Sequence, residues 1–464
     1  MLNRLDLRGA GSDLAARLPR PDPGGAGPVA AVEAILADVR ARGDEAVRDL
    51  TERFDGVRLD DLRVPVEQVG AALARTAPAL RDHLEVAAAG VADFARSQLP
   101  ADTDYERGGI RIRGLHRPVD RAGCYVPGGR ARYPSTVLMT AVIAKVAGVP
   151  EVARCVPPER SGAVADVTLA AAAIAGVDEV YGIGGAQAIA ALAYGTASVR
   201  PVDVVVGPGN VYVALAKRLV AGEGRVGVPS AFAGPSEVVV VADASAPPAY
   251  AAVDVILQAE HGPGGLAWLV TWDADVAEAV TAEIGRQVAA SPRRAEIEST
   301  FAGGGWCAIV DGPEQAMDVC NLIAPEHLEL MVEDPDALVK QVRHAGAVFC
   351  GPWAPASVGD YLAGPSHVLP TFGSARFSSA LTVRDFQKDL HVITLDEPTL
   401  AAVGPHVIGL AEAEGLSSHA ESVRLRMGPG RHGTERAGGS ARMGGGGGVP
   451  GAAAAVEAGR APDG

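Results

Sequence analysis

An α/β architecture with a mostly parallel sheet covered on both faces is the fold class this sequence predicts, from three observations. Short apolar runs alternate with helical patterns through residues 140–270, the spacing of strands joined by crossover helices. The chain is 48% hydrophobic but only 4% aromatic. Its core must therefore be built from Ala, Val, Leu and Ile, which suits packed α/β layers better than an aromatic-rich sandwich. Its 57 glycines and 33 prolines provide many tight turns, and two glycine-rich turns stand between a strand pattern and a helix pattern.

Taken in order, residues 1–27 are rich in Gly and Pro and read as an arm. A helix is marked from Pro28, with Val29, Val32, Leu36 and Val39 on one face and the proline suited to its first turn. Asp44 opens a second helix through Val47, Leu50 and Phe54, stopped near Gly56. Helical spacing returns over residues 67–98. Strands are then expected at 151–156, 179–182, 202–206 and 237–241, alternating with helices at 164–175, 186–194, 211–220 and 249–260. Residues 427–464, with five glycines at 444–448, form a low-complexity tail too poor in apolar surface to offset the entropy of ordering.

A formal charge of −15 argues against nucleic-acid or anionic-membrane partners, which require a basic surface. There is no apolar signal core and no apolar run of transmembrane length. The five cysteines, at 124, 155, 307, 320 and 350, show no paired spacing and read as reduced, buried thiols. A cytoplasmic enzyme is the expectation.

Chemistry concentrates in a few segments. Glu326 and His327 are adjacent in Ile323-Ala-Pro-Glu-His-Leu-Glu-Leu330, and a carboxylate beside an imidazole can serve as two acid/base groups at one site. The simpler reading of the same run is a helix start, with Pro325 in the first turn and Leu328 and Leu330 inward. The turns Tyr181-Gly-Ile-Gly-Gly-Ala-Gln187 and Val206-Gly-Pro-Gly-Asn-Val-Tyr212 suit a phosphate approached by backbone at a helix amino terminus, although neither matches G-x-G-x-x-G. Gln258 and His261 close one helix at a spacing of three and can face one ion. Asp360 and His367 lie in a turn-rich segment, and Glu414 and His419 near a further helix. One Asp, two His and one Gln would suit zinc, manganese or cobalt.

Together these segments resemble histidinol dehydrogenases. The resemblance is carried in register by Tyr125-Val-Pro-Gly-Gly, Pro134-Ser-Thr-Val-Leu-Met, the run Gly184–Thr196, Val206-Gly-Pro-Gly-Asn-Val-Tyr-Val and Gly234-Pro-Ser-Glu-Val. It continues through Gln258-Ala-Glu-His-Gly, Ala324-Pro-Glu-His-Leu-Glu, Gly359-Asp-Tyr, His367-Val-Leu-Pro-Thr, Ala375-Arg-Phe-Ser-Ser and Glu414-Gly-Leu. It implies two incomplete Rossmann-like, doubly wound and mostly parallel domains with small N- and C-terminal helical extensions. Residues 28–124 and 237–380 would make the first domain, carrying Gln258, His261, Glu326, His327 and Asp360. Residues 125–236 would make the second, on the NAD side. Residues 381–426 would form a C-terminal segment exchanged in a dimer, with 1–27 an arm and 427–464 a disordered tail.

The resemblance further implies one zinc per subunit on Gln258, His261, Asp360 and His419, with manganese or cobalt as substitutes. Acid/base roles fall to Glu326 and His327. Substrate contacts come from Ser236, Gln258, His261, His327, Asp360, His367, Glu414 and His419, and NAD contacts from Tyr125, Gln187 and Asn210. Glu414 and His419 would reach across a homodimer interface. The implied reaction takes L-histidinol through an aldehyde to L-histidine with two hydride transfers to NAD. Ser366 and Leu257 stand where the family more often has asparagine and serine, and neither departure removes a proposed ligand or base. Cys124 beside Tyr125 reads as a packing thiol. A zinc hydrolase and a silent paralogue are the competing readings; NADH formation separates the first, and the complete set of competent site residues argues against the second.

Overall fold

The computed structural model describes residues 1–19, 28–128, 132–230, 234, 236–262 and 264–428. The tail from 429 onward and part of the amino-terminal arm lie outside the described residues. Among the described residues, fourteen strands run in chain order: β1 (Asn3–Asp6), β2 (Arg63–Val64), β3 (Thr103–Arg107), β4 (Ile110–Pro118), β5 (Arg121–Tyr125), β6 (Glu151–Cys155) and β7 (Glu179–Tyr181). They continue with β8 (Val204–Val206), β9 (Glu237–Ala242), β10 (Leu266–Thr271), β11 (Gly305–Ile309), β12 (His327–Met331), β13 (Ala347–Cys350) and β14 (Gln387–Thr394). By internal contacts the chain divides into two units, Met1–Thr103 with Gly114–His391, and Asp104–Arg113 with the chain from Val392 onward.

The first unit holds two sheets. One has six strands in the order β1-β11-β10-β9-β12-β13, and all its neighbours pair in parallel. The other has the order β2-β7-β6-β5-β8, parallel except for the antiparallel edge pair β2/β7. Both are covered on two faces. Along β9, Val238 and Val240 enter one core with Val255 and Leu269, while Val239 and Val241 enter the opposite core with Trp268, Leu328 and Leu330. The period of two aims successive side chains at opposite faces, and each valine fully buried this way stabilises by roughly 1.5–3 kcal/mol. The same alternation splits Val204 and Val206 from Val205 in β8.

Four helices position the chemistry: α1 (Gly185–Tyr194), α2 (Val211–Gly222), α3 (Pro248–Ala259) and α4 (Ala356–Tyr361). The expected strand and helix alternation over 151–260 is observed in order. In the second unit, α5 (Glu397–Ala413) and α6 (Ser417–Met427) form a helical hairpin. Gly404 sits where a Cβ would lie 2.5 Å from the Met427 sulfur, so a side chain there would require the methionine to move aside.

Four expectations are corrected. The amino-terminal arm is structured at its start: β1 pairs in parallel with β11, placing Leu5 opposite Ala308, and Leu7 and Leu14 are buried. Residues 28–124 do not build the six-stranded sheet. Their helices carry Val32, Leu36 and Leu50 into one core of the five-stranded sheet, with Tyr181 and Val205, and Val69, Leu84 and Val91 into the other, with Val152 and Val204. Glu326 and His327 do not open a helix; the preceding helix Pro313–Ile323 ends at Ala324 in a left-handed conformation (φ 54°), and the pair leads into β12. Asp360, placed in a turn-rich segment, lies on the short helix α4.

Candidate active site

The acid/base pair sits at the amino ends of β9 and β12, neighbours in the six-stranded sheet. Here His327 pairs with Val238 in parallel register. Glu326 and His327 are both buried, at 6% and 2% exposure. The backbone of Glu237 grips both: its N–H donates to Glu326 Oε2 at 2.8 Å, and its carbonyl accepts from His327 Nδ1 at 3.1 Å. A carbonyl only accepts, so this contact places a proton on Nδ1 and leaves Nε2 as the atom that exchanges protons. Nε2 faces Asp360 Oδ1 at 3.3 Å. The ring stacks on Phe349 with centroids 5.9 Å apart, which limits its rotation.

Other sequence-selected residues gather around this ring. The Gln258 amide nitrogen is 3.5 Å from His327 Nδ1. His261 Nδ1 pairs with Ser236 Oγ at 3.0 Å, and His261 itself is exposed. His367 Nδ1–H donates to the Asp360 carbonyl at 2.9 Å, and the Thr136 hydroxyl donates to His367 Nε2 at 2.9 Å.

Electrostatics separate the three ionisable partners. Burial disfavours a charge on His327, but the Glu326 and Asp360 carboxylates outweigh it and hold the imidazole well above its usual range. Burial likewise opposes ionisation of Asp360, and the hydrogen bond and charge of His327 reverse this, keeping the carboxyl low. His367 moves the other way: burial dominates and lowers it, so its ring stays neutral. At rest His327 and Asp360 thus form a charged pair beside a neutral His367, and the raised imidazole of His327 is a strong base once its Nε2 proton has left.

Among the described residues, no three His, Cys, Asp or Glu side chains assemble as a metal cluster. The first unit contributes only two residues of that kind to the expected zinc set, His261 and Asp360, together with Gln258. The donor chemistry nevertheless fits an ion, because Gln258 Oε1 is buried and has no hydrogen-bond partner among the described residues. An orphaned buried acceptor calls for a cation or an N–H at that place. Glu414 and His419 belong to the second unit, where Glu414 follows α5, His419 lies on α6, and both are exposed.

The expected NAD residues line a cleft of about 1500 Å³ at the carboxyl edge of the five-stranded sheet, with Tyr125, Gly185, Gln187 and Asn210 in its wall. The Tyr125 hydroxyl accepts from the Gly185 N–H at 3.2 Å. Gln187 is buried, and neither of its amide atoms has a partner among the described residues. Asn210 caps α2, its oxygen accepting from the N–H groups of Tyr212 and Val213 at 3.0 and 3.2 Å. Both glycine-rich turns therefore lead into helix amino termini at strand ends, where phosphates are favoured.

Sequence reasoning missed Glu237, Thr136 and Phe349. A carboxylate opening an otherwise apolar strand was the available signal for the first, and the other two carried none. Cys124 is buried and its thiol is pushed up to about 12 by that burial, in keeping with a packing role. Cys350 departs from the expected set of buried thiols, since it is exposed.

Residues 24–427 match the histidinol dehydrogenase family model. The chain is 49% identical over 404 residues to a histidinol dehydrogenase of Parasynechococcus marenigrum, covering 85% of this chain and 90% of that one. It is 46% identical over 399 residues to a histidinol dehydrogenase of Gluconobacter oxydans, covering 85% and 92%. Among solved structures, a histidinol dehydrogenase from Elizabethkingia anophelis superposes with a TM-score of 0.87 at 31% identity, covering 92% of this chain and 98% of that one.

Proposed function

We infer the activity of this chain from its family: it belongs to the histidinol dehydrogenases, which are oxidoreductases. The reaction is the oxidation of L-histidinol, through L-histidinal, to L-histidine, with NAD as the acceptor and a zinc ion at the substrate site. The observation that carries the reading is the convergence of buried Glu326, His327 and Gln258 with the partly exposed Asp360 in one cluster.

In the first half-reaction His327, once its Nε2 proton has left, takes the alcohol proton at Nε2 while hydride passes to the nicotinamide. The Nδ1–H bond to the Glu237 carbonyl holds the tautomer that leaves Nε2 free for this. In the second, Glu326 removes a proton from water as its oxygen bonds to the aldehyde carbon, and His327 hands the proton it holds to the carbonyl oxygen, which frees Nε2 again. The hydrate then loses a second hydride to a second NAD and its hydroxyl proton to His327. Each NAD takes two electrons, so the four electrons between alcohol and carboxylic acid are accounted for. Holding the aldehyde between the steps protects it from side reactions.

Gln258, His261 and Asp360 would hold zinc, with His419 from the partner subunit of a homodimer completing the set. Bound zinc would supply orientation of the substrate's imidazole and amino nitrogens. Ser236, His367 and the partner's Glu414 would complete the substrate contacts, and Tyr125, Gln187 and Asn210 would hold NAD in the cleft. The test is NADH production from L-histidinol by the zinc-loaded protein. Its absence, with hydrolysis of an amide or ester instead, would replace this reading with a metal hydrolase.

A further inference from the structure

Two carboxyls close to the cluster have no part in the chemistry described so far. Asp254 stands on α3 one turn before Gln258, and Glu329 stands on β12 two residues after His327; they are 4% and 2% exposed. Their side chains are hydrogen-bonded to each other. Two carboxyl groups can do this only with a proton between them, and burial favours keeping it. Glu329 Oε1 also accepts the backbone N–H of Ala356 at 3.2 Å. Ala356 is the first residue of α4, which four residues later presents Asp360 to His327.

The spacings repeat on each element. Positions 254 and 258 share a face of α3, 327 and 329 share a face of β12, and 356 and 360 share a face of α4. The acid pair therefore links the same three elements that carry Gln258, His327 and Asp360. A helix of six residues has few N–H groups bonded within itself, so the anchor at its first residue largely sets its rotation. An apolar contact would fill the space without that direction.

We propose that Asp254 and Glu329, sharing one proton, are positioning residues that lock α3, β12 and α4 together and so set Gln258 and Asp360 about His327. The effect on metal binding rests on the proposed zinc reading, whereas the linkage itself does not.

The test compares Glu329→Gln, Glu329→Asp and Glu329→Leu with the parent, all as the full-length protein. Glutamine reproduces the protonated acid, its amide N–H donating to Asp254 and its oxygen accepting from Ala356. Aspartate keeps the acid but withdraws it by one methylene, and leucine removes both bonds. Two readouts are taken: amide hydrogen exchange over residues 356–361 in the metal-free protein, and zinc affinity by competition with a chelator. E329Q should match the parent in both to within about threefold. E329D and E329L should speed exchange over 356–361 and weaken zinc by about 10–100-fold, the range seen when supporting partners of metal ligands are removed.

If E329L fails to fold, the contrast of E329D with E329Q decides. E329L behaving like the parent, or E329Q failing along with E329D, would overturn the proposal. A parent that binds no zinc would reject the metal reading, while the exchange measurement still decides the linkage.

Discussion

The backbone N–H of Glu237 donates to Oε2 of Glu326 at 2.8 Å, and this bond holds the carboxylate beside the imidazole whose Nδ1 lies 3.6 Å away. The same residue's carbonyl accepts a hydrogen bond from Nδ1–H. One residue at the start of β9 thus orients both members of the acid/base pair through backbone atoms, which side-chain substitution at 237 leaves in place.

His327→Asn should lower kcat for alcohol and aldehyde oxidation alike by about 10²–10⁴-fold, the usual contribution of a positioned base. Zinc content should stay near that of the parent. Measurement of both half-reactions alongside bound metal checks this; loss of zinc in step with activity would assign His327 to the metal instead.

Glu326→Gln should separate the two steps. Alcohol oxidation is expected within about tenfold of the parent, and aldehyde oxidation lower by about 10²–10⁴-fold. Supplying the alcohol and the aldehyde separately gives the two rates. Equal losses would remove Glu326 from the hydration step.

Glu237→Gln should change how stability depends on pH. Burial, reinforced by the Glu326 charge, pushes the Glu237 carboxyl up from 4.5 to about 8. The folded protein thus keeps a proton that the unfolded chain gives up. Stability from this group is whole below pH 4.5 and is lost as pH rises through about 8. Glutamine cannot lose that proton, and its oxygen can still accept the Phe372 N–H now bonded to Glu237 Oε1 at 2.9 Å. The melting temperature of E237Q relative to the parent should therefore climb between those two pH values. A constant difference would show that Glu237 does not titrate in this window.

Asn210 serves α2 as a cap and the cleft as a wall residue. Asn210→Asp keeps the capping oxygen and should leave stability nearly unchanged while raising KM for NAD, because a carboxylate there repels a phosphate. Asn210→Ala should cost about 1 kcal/mol of stability as well. Melting curves and NAD titrations of the two variants separate the roles; an unchanged KM in N210D would take Asn210 out of the cofactor site.

The alternation from residue 151 to 260 is legible because each strand there is a short, largely apolar run and each helix follows a glycine or proline turn. Gly184 and Asn210 are legible for the same reason, since a turn at the carboxyl end of a parallel strand carries its own chemistry. The acid/base pair illustrates the opposite case. Pro325-Glu326-His327 has the residues of a helix start, and only the pairing of β12 with β13 and with the distant β9 starts a strand at His327. Asn3–Asp6 looks like a loose arm because four residues show little periodicity; β11, some 300 residues away, supplies its partner. The helices of 28–124 carry clear apolar faces, but a face does not say which sheet it covers. Asp254 and Glu329 look like surface acids until both are seen buried.

The stoichiometry of the complete reaction tests the central claim most directly. Zinc-loaded protein, L-histidinol and excess NAD are allowed to react to completion, and NADH, free aldehyde and L-histidine are quantified together. Two NADH per L-histidine with no free aldehyde, abolished by a chelator and restored by zinc, is the predicted result. One NADH per histidinol consumed, with aldehyde released, would contradict the assignment of both oxidations to the Glu326–His327 site.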